Sequence, residues 1–133
     1  MSRVFVDTSA ILALVNPDDR HHRKAVRIFE RLRGNEAGLV STSFVLLETY
    51  AIVGSRVGLD AVGALRADFA PLLDVVWVDR DLFERSLDRL LGKEAPRVSL
   101  VDTASFLVMR RERIDDAFVF DRHFAEAGFS ALD

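Results

Sequence analysis

Two kinds of hydrophobic pattern alternate along the chain. Short apolar runs predict four strands, at residues 4–6, 38–42, 74–79 and 117–121. Between them apolar residues recur every three or four positions, which predicts helices at residues 10–15, 21–33, 44–53, 59–69, 82–91 and 100–111, with a last helical turn at 122–128. Residues 92–99 are predicted to form a loop.

Strands that alternate with helices predict an α/β fold, in which a parallel sheet is covered by helices on both faces. The length of 133 residues and the absence of an internal repeat or linker indicate one domain, residues 1–133. We therefore expect a short central parallel sheet of four or five strands flanked by helices. In such sheets ligands bind beyond the carboxyl ends of the strands.

Composition excludes several classes of protein. Hydrophobic residues make up 50% of the chain, enough for an apolar interface as well as a core. No apolar run is long enough for a membrane helix, and Asp7 interrupts the first run, so neither a membrane span nor a signal peptide is predicted. Without cysteine there is no disulfide or thiolate zinc site, and we expect a cytoplasmic protein. The net charge of −3 gives no global sign of nucleic-acid binding.

Two aspartates stand where predicted strands end. Asp7 follows the first strand and Asp121 closes the fourth, so both belong at one edge of a parallel sheet. For each aspartate, a role as the N-cap of the following helix explains its position as well as a functional role does. For Asp7 this simpler explanation is weakened, because Thr8 and Ser9 are also able to cap that helix.

Two more carboxylates lie on apolar helices. Glu48 has Phe44 and Ile52 as its neighbours one turn away, and an isolated buried carboxylate is costly, so a functional role is favoured over a narrow solvent-facing stripe. Asp102 fits a variant capping box with Ser99. The residues after Asp102 are mostly apolar, which predicts a buried helix. A carboxylate in the first turn of such a helix can lie near the carboxyl ends of the strands.

Convergence of these four carboxylates would create repulsion of a few kcal/mol per close pair, at an effective dielectric constant of about 20. A divalent cation would remove that repulsion. Oxygen ligands favour a hard ion such as Mg²⁺ or Mn²⁺, which activates water and stabilises the charge that develops in phosphodiester hydrolysis.

The histidines are not predicted to be ligands. His21 and His22 are adjacent at the start of a helix, cannot share one face, and are expected to be solvated. His123 follows Asp121 closely and either contacts the site or caps its helix.

With these positions in hand, the chain resembles the PIN-domain ribonucleases, and among them the VapC-type toxins of bacterial toxin–antitoxin pairs. The resemblance covers almost the whole chain. It rests on the order and spacing of "VDTSAILALVNPDDRHH", "STSFVLLETY", "SLVDTASF" and "AFVFDRHFAEAGF".

The resemblance implies a metal-dependent endoribonuclease whose catalytic and metal-binding residues are Asp7, Glu48, Asp102 and Asp121. It implies that Thr8 or Ser9 helps to orient the first aspartate, and that the metal is Mg²⁺ or Mn²⁺. It further implies a single-stranded or looped RNA substrate, such as a tRNA or rRNA, a cognate VapB-type antitoxin, and a homodimer. The very apolar segments 44–53 and 59–69 also favour dimerisation.

Three alternatives compete with this interpretation. A phospho-acceptor signalling domain needs a lysine near the last strand, but the only lysines are Lys24 and Lys93. A haloacid-dehalogenase-like phosphatase needs an aspartate where Ser9 stands. A non-catalytic binding module that keeps the PIN fold would be favoured by loss of an acidic residue, and all four are present.

Overall fold

The computed structural model describes residues 2–94 and 97–133 and has a five-stranded parallel sheet at its centre. The strand order is β3-β2-β1-β4-β5, and every pair of neighbours is parallel. The strands are β1 (Arg3–Val6), β2 (Gly38–Thr42), β3 (Leu73–Val76), β4 (Asp116–Phe118) and β5 (Ser130–Ala131). The predicted α/β fold with a parallel sheet of four or five strands is confirmed.

Helices connect the strands and cover the sheet. They are α1 (Thr8–Val15), α2 (His22–Gly34), α3 (Ser43–Arg56), α4 (Leu59–Ala64), α5 (Arg80–Leu90), α6 (Leu100–Glu112) and α7 (His123–Glu126). Of the predicted loop at 92–99, residues 95–96 lie outside the described part of the chain. Within residues 2–94 and 97–133, no helix combines the length and apolar character needed to cross a bilayer.

The segment predicted as a helix, residues 59–69, is helical throughout, but the type of helix changes after Ala64. The regular helix α4 ends at Ala64, a wider π-helical turn covers Leu65–Phe69, and a 3-10 turn covers Ala70–Leu72. Pro71 lies in that last turn. Because proline lacks an N–H and disfavours helical geometry in the residue before it, the α-helix cannot continue through this segment into β3.

Two strands are shorter than predicted at their carboxyl ends. The third was expected over 74–79 and ends at Val76, where its pairing with Thr42 of β2 also ends. The fourth was expected over 117–121 and ends at Phe118, opposite Val6 of β1. Beyond Phe118 the backbone N–H of Phe120 donates to a side chain, the Ser9 hydroxyl, so strand pairing stops there. Asp121 therefore lies in the loop after β4, at the carboxyl edge of the sheet.

The core is built on β1 and β4. Val4, Phe5 and Val6 are all buried, as is expected for a parallel strand covered on both faces. On one face Phe124 is fully buried and packs edge-to-face against Phe106 of α6, with ring centroids 4.9 Å apart. This packing fixes α6 and α7 against the sheet, and both helices carry candidate site residues at the carboxyl edge.

Candidate active site

Asp7 is both a helix cap and a buried carboxylate at the sheet edge. It follows β1 directly and is the N-cap of α1. Its Oδ2 atom accepts hydrogen bonds from the backbone N–H and the hydroxyl of Ser9, at 3.1 and 2.8 Å. Asp7 is only 3% exposed. The capping explanation weighed from the sequence is therefore correct for this residue, yet it engages only one carboxylate oxygen.

Ser9 connects this carboxylate to the loop after β4. Its Oγ atom donates to Asp7 and accepts the backbone N–H of Phe120 at 3.0 Å. Thr8 faces α3 instead, where its hydroxyl donates to the Val45 carbonyl at 3.3 Å and accepts from Thr49 at 3.1 Å. Of the two hydroxyl residues beside Asp7, Ser9 is the one that contacts its carboxylate.

Asp102 and Asp121 face each other from different elements. Asp102 lies in the first turn of α6, is 8% exposed, and donates its backbone N–H to the Ser99 hydroxyl at 3.0 Å, as the capping-box pattern predicts. Asp121, half-buried, accepts the backbone N–H of His123 on Oδ1 at 2.9 Å. One ligand atom from each of Asp102, Asp121 and His123 lies within 4.8 Å of the others.

Glu48 approaches the same edge from α3. It is half-buried and borders a shallow apolar groove lined by Phe44, Leu47, Ala51, Leu100 and Val101. Its charge contributes to raising the pKa of Asp102, so the two carboxylates are close enough to interact. Neither Glu48 nor Asp7 belongs to the tight group of Asp102, Asp121 and His123.

The pKa values show the electrostatic cost of this arrangement. Burial raises the pKa of Asp7 to about 7 against the lowering effect of the Ser9 hydrogen bonds, and the charges of Asp102 and Asp121 raise it further. Burial, followed by the charge of Asp121, also raises the pKa of Asp102, against the lowering effect of its contact with His123. Among the described residues, no lysine or arginine forms an ion pair with any of the four carboxylates.

The donors fit a hard divalent cation. Four carboxylates face one sheet edge, and among the described residues no lysine or arginine pairs with them. No described residue donates a hydrogen bond to Asp7 Oδ1, although the residue is almost fully buried. Oxygen donors of this kind suit Mg²⁺ or Mn²⁺, and a bound cation would also relieve the repulsion between the carboxylates.

The histidines differ from the expectation. His21 is half-buried and stacks on Phe120, with centroids 4.6 Å apart and an angle of 8° between the rings. The Nδ1 atom of His22 lies 2.8 Å from the Ala13 carbonyl oxygen. The prediction that both are solvated is therefore wrong. Of the two roles considered for His123, contact with the site is present, because its Nδ1 lies 3.1 Å from Asp102 Oδ2.

This fold and site define a PIN domain. The PIN-domain family model matches residues 4–130, so the chain belongs to the PIN-domain family. The resemblance inferred from the sequence is thereby confirmed, and the phospho-acceptor and phosphatase alternatives are set aside.

Particular relatives place the chain with the VapC-type toxins. It is 37% identical over 128 residues to the 23S rRNA-specific endonuclease VapC20 of Mycobacterium tuberculosis, from strains H37Rv and CDC 1551, with 95% of each chain covered. The crystal structure of VapC20, a sarcin–ricin loop cleaving toxin, superposes with a TM-score of 0.78 at 33% identity over 95% of both chains. The DNA-bound VapBC complex of Salmonella typhimurium matches at TM-score 0.70 and 17% identity over 100% of this chain and 98% of that one, which supports the fold alone.

Proposed function

We propose that this protein is a metal-dependent endoribonuclease that hydrolyses RNA phosphodiester bonds as the toxin of a type II toxin–antitoxin pair. The observation that carries the proposal is the convergence of Asp7, Asp102 and Asp121 at the carboxyl edge of the sheet, where the first two have raised pKa values. A purely structural site would be expected to pair such buried charges with lysine or arginine side chains. A non-catalytic module would have no need to retain these unfavourable buried carboxylates.

Asp7 and Asp102 would be the principal ligands of a Mg²⁺ or Mn²⁺ ion, with Asp121 and Glu48 binding it directly or through water. When bound, the ion activates water and stabilises negative charge on the phosphate that is attacked. Ser9 holds the Asp7 carboxylate in one orientation through its two hydrogen bonds. The half-buried Glu48 carboxylate would accept a hydrogen bond from the attacking water and position it.

The substrate we propose is a looped segment of ribosomal RNA. The support is the 37% identity to an endonuclease named for its action on 23S rRNA. Because the net charge of the chain is −3, phosphate binding has to come from local arginines. Arg20 and Arg122 are both exposed near Asp121. Arg122 follows Asp121 in the chain, and Arg20 contacts His21, whose ring stacks on Phe120 of the same loop. Arginine forks suit phosphate contacts, which position an RNA without reading its bases.

The proposed activity predicts metal-dependent cleavage of a ribosomal RNA hairpin. Purified protein should cut such a hairpin at a small number of sites inside the loop when Mg²⁺ or Mn²⁺ is present. EDTA should abolish the cuts, because the carboxylates cannot activate water without the ion. The products are mapped by gel electrophoresis of end-labelled RNA. Cleavage that persists in EDTA, or intact RNA with both metals, would contradict the proposed function.

The partners we propose are a cognate VapB-type antitoxin and a second copy of the chain, in the cytoplasm. Support for an antitoxin comes from the likeness to VapC-type toxins. Support for a dimer comes from large apolar side chains left on the surface: Leu47 of α3 is 67% exposed and Leu59 of α4 is 81% exposed. Both lie in the segments that the sequence marks as too apolar for the core alone.

Dimerisation predicts a mass of twice 14.9 kDa in solution. Leu47→Glu or Leu59→Glu should lower the dimer fraction, because a charge placed in an apolar interface must be desolvated. Leu91, 78% exposed on a different segment, provides the matched control Leu91→Glu. Light scattering at micromolar concentration measures all four proteins. A wild-type protein that is monomeric at 14.9 kDa would rule out the dimer.

A further inference from the structure

The ring of His123 is held against two carboxylates of the candidate site. Its Nδ1 atom lies 3.1 Å from Asp102 Oδ2 and 3.9 Å from Asp121 Oδ1. Its backbone N–H donates to the same Asp121 oxygen at 2.9 Å, which fixes the start of α7 relative to that side chain. The His123 side chain is 35% exposed, so the ring borders the open side of the site and is not enclosed in the core.

The shorter of these two distances is close to the spacing of neighbouring ligands around one ion. Two atoms bound at right angles and about 2.1 Å from a metal ion lie about 3 Å apart. The separation of 3.1 Å between His123 Nδ1 and Asp102 Oδ2 is close to that spacing, and it is also a normal hydrogen-bond length. The same ring position would therefore suit two states: Nδ1–H would donate to Asp102 without metal, and the Nδ1 lone pair would face the ion if a metal were bound.

We propose that His123 is a nitrogen ligand of the metal centre and that it biases the centre toward Mn²⁺ over Mg²⁺. This inference rests on the proposed function, since it concerns the same ion. It changes the ligand set expected from the sequence, which contained oxygen donors only. Imidazole binds first-row transition ions well, whereas Mg²⁺ favours oxygen ligands and keeps its water molecules. A carboxylate site that includes one imidazole therefore binds Mn²⁺ more selectively than one built from carboxylates alone.

A merely structural role for His123 is the competing explanation. In that case the ring only donates a hydrogen bond that holds Asp102 in place, and no nitrogen approaches the ion. The variant His123→Asn separates the two roles. An asparagine amide is able to donate to Asp102, and its oxygen is able to bind a metal, but its nitrogen has no lone pair for the ion. His21→Asn is the matched control, because the His21 ring stacks on Phe120 and does not contact the carboxylates of the site.

The test uses Mn²⁺ itself as the probe. Electron spin-echo envelope modulation of the Mn²⁺-loaded wild-type protein should show coupling to one histidine ¹⁴N, which changes to ¹⁵N coupling after histidine labelling. The coupling should be lost in His123→Asn and kept in His21→Asn. Calorimetry should show that the ratio of the Mg²⁺ and Mn²⁺ dissociation constants falls about 10-fold or more in His123→Asn, and stays unchanged in the control.

The outcomes separate this inference from the proposed function. Tight Mn²⁺ binding with RNA cleavage but without nitrogen coupling would overturn the role of His123 and leave the endoribonuclease intact. Nitrogen coupling that survives in His123→Asn would overturn it as well. Failure of the wild-type protein to bind either metal would overturn both. The wild-type spectrum shows without any variant whether a histidine nitrogen binds the ion, and the comparison of His123→Asn with His21→Asn assigns that nitrogen to His123.

Discussion

Replacing Asp7 or Asp102 by alanine is expected to lower the rate of RNA cleavage by about three orders of magnitude or more. Each substitution removes a principal ligand, so the ion and the water it activates are lost together. A loss of about 4 kcal/mol of transition-state stabilisation corresponds to about a thousandfold in rate. The measurement is the initial rate of cleavage of a labelled ribosomal RNA hairpin at saturating Mn²⁺.

Asp88→Ala is the matched control for these two variants. Asp88 is an exposed aspartate of α5 and forms no ion pair with the described residues. Its removal changes the net charge by the same amount, so a general effect of charge on RNA binding would appear in all three variants. Wild-type rates in Asp7→Ala or Asp102→Ala would show that the cleavage site lies elsewhere. A comparable loss in Asp88→Ala would show that the effect is not specific to the site.

Asp7 should also make the metal-free protein less stable as the pH rises. Its folded pKa of about 7 lies above the ordinary value of 3.8. Between these two values the folded state binds more protons than the unfolded state, so the free energy of unfolding falls as the pH increases through this window. The loss is complete above pH 7 and amounts to about 4 kcal/mol at about 1.4 kcal/mol per pKa unit. The raised pKa of Asp102 adds a loss of the same sign.

Asp7→Asn should remove much of this pH dependence. The amide oxygen still accepts the two hydrogen bonds from Ser9, but no buried charge forms. In EDTA the variant should therefore be more stable than wild type at pH 8, while the two should be close at pH 4. Urea unfolding at both pH values measures the difference. If the free energy of unfolding changes between pH 4 and pH 8 by the same amount in the wild-type protein and in the variant, this explanation is refuted.

Much of the fold and part of the site were predictable because both depend on local patterns. In a parallel sheet every carboxyl end lies at the same edge, so an aspartate after β1 and another after β4 had to approach each other. The start of α6 was equally readable, since Ser99 and Asp102 form the predicted capping pair. These features follow from residues close together in sequence and from a single rule of sheet geometry.

What the sequence did not reveal depends on contacts between distant segments. Strand β5 has two residues, too few to show a periodicity. The Ser9 hydroxyl meets the Phe120 backbone across 111 positions, and this contact ends β4 early and turns the loop toward the site. The direction of the His123 ring depends on that same loop. Functional and capping roles of Asp7 were weighed as alternatives, yet the two carboxylate oxygens allow both at once.

The central claim is that the buried carboxylates share a divalent ion, and the melting temperature at pH 8 tests it most directly. Wild type and Asp7→Asn are compared in EDTA and in millimolar Mn²⁺. In EDTA the variant should melt higher. With Mn²⁺ the wild-type protein should gain several degrees and the variant much less, because an ion that binds only the folded state stabilises it by mass action. Wild-type curves that coincide with and without Mn²⁺, with no metal bound by calorimetry, would contradict the account.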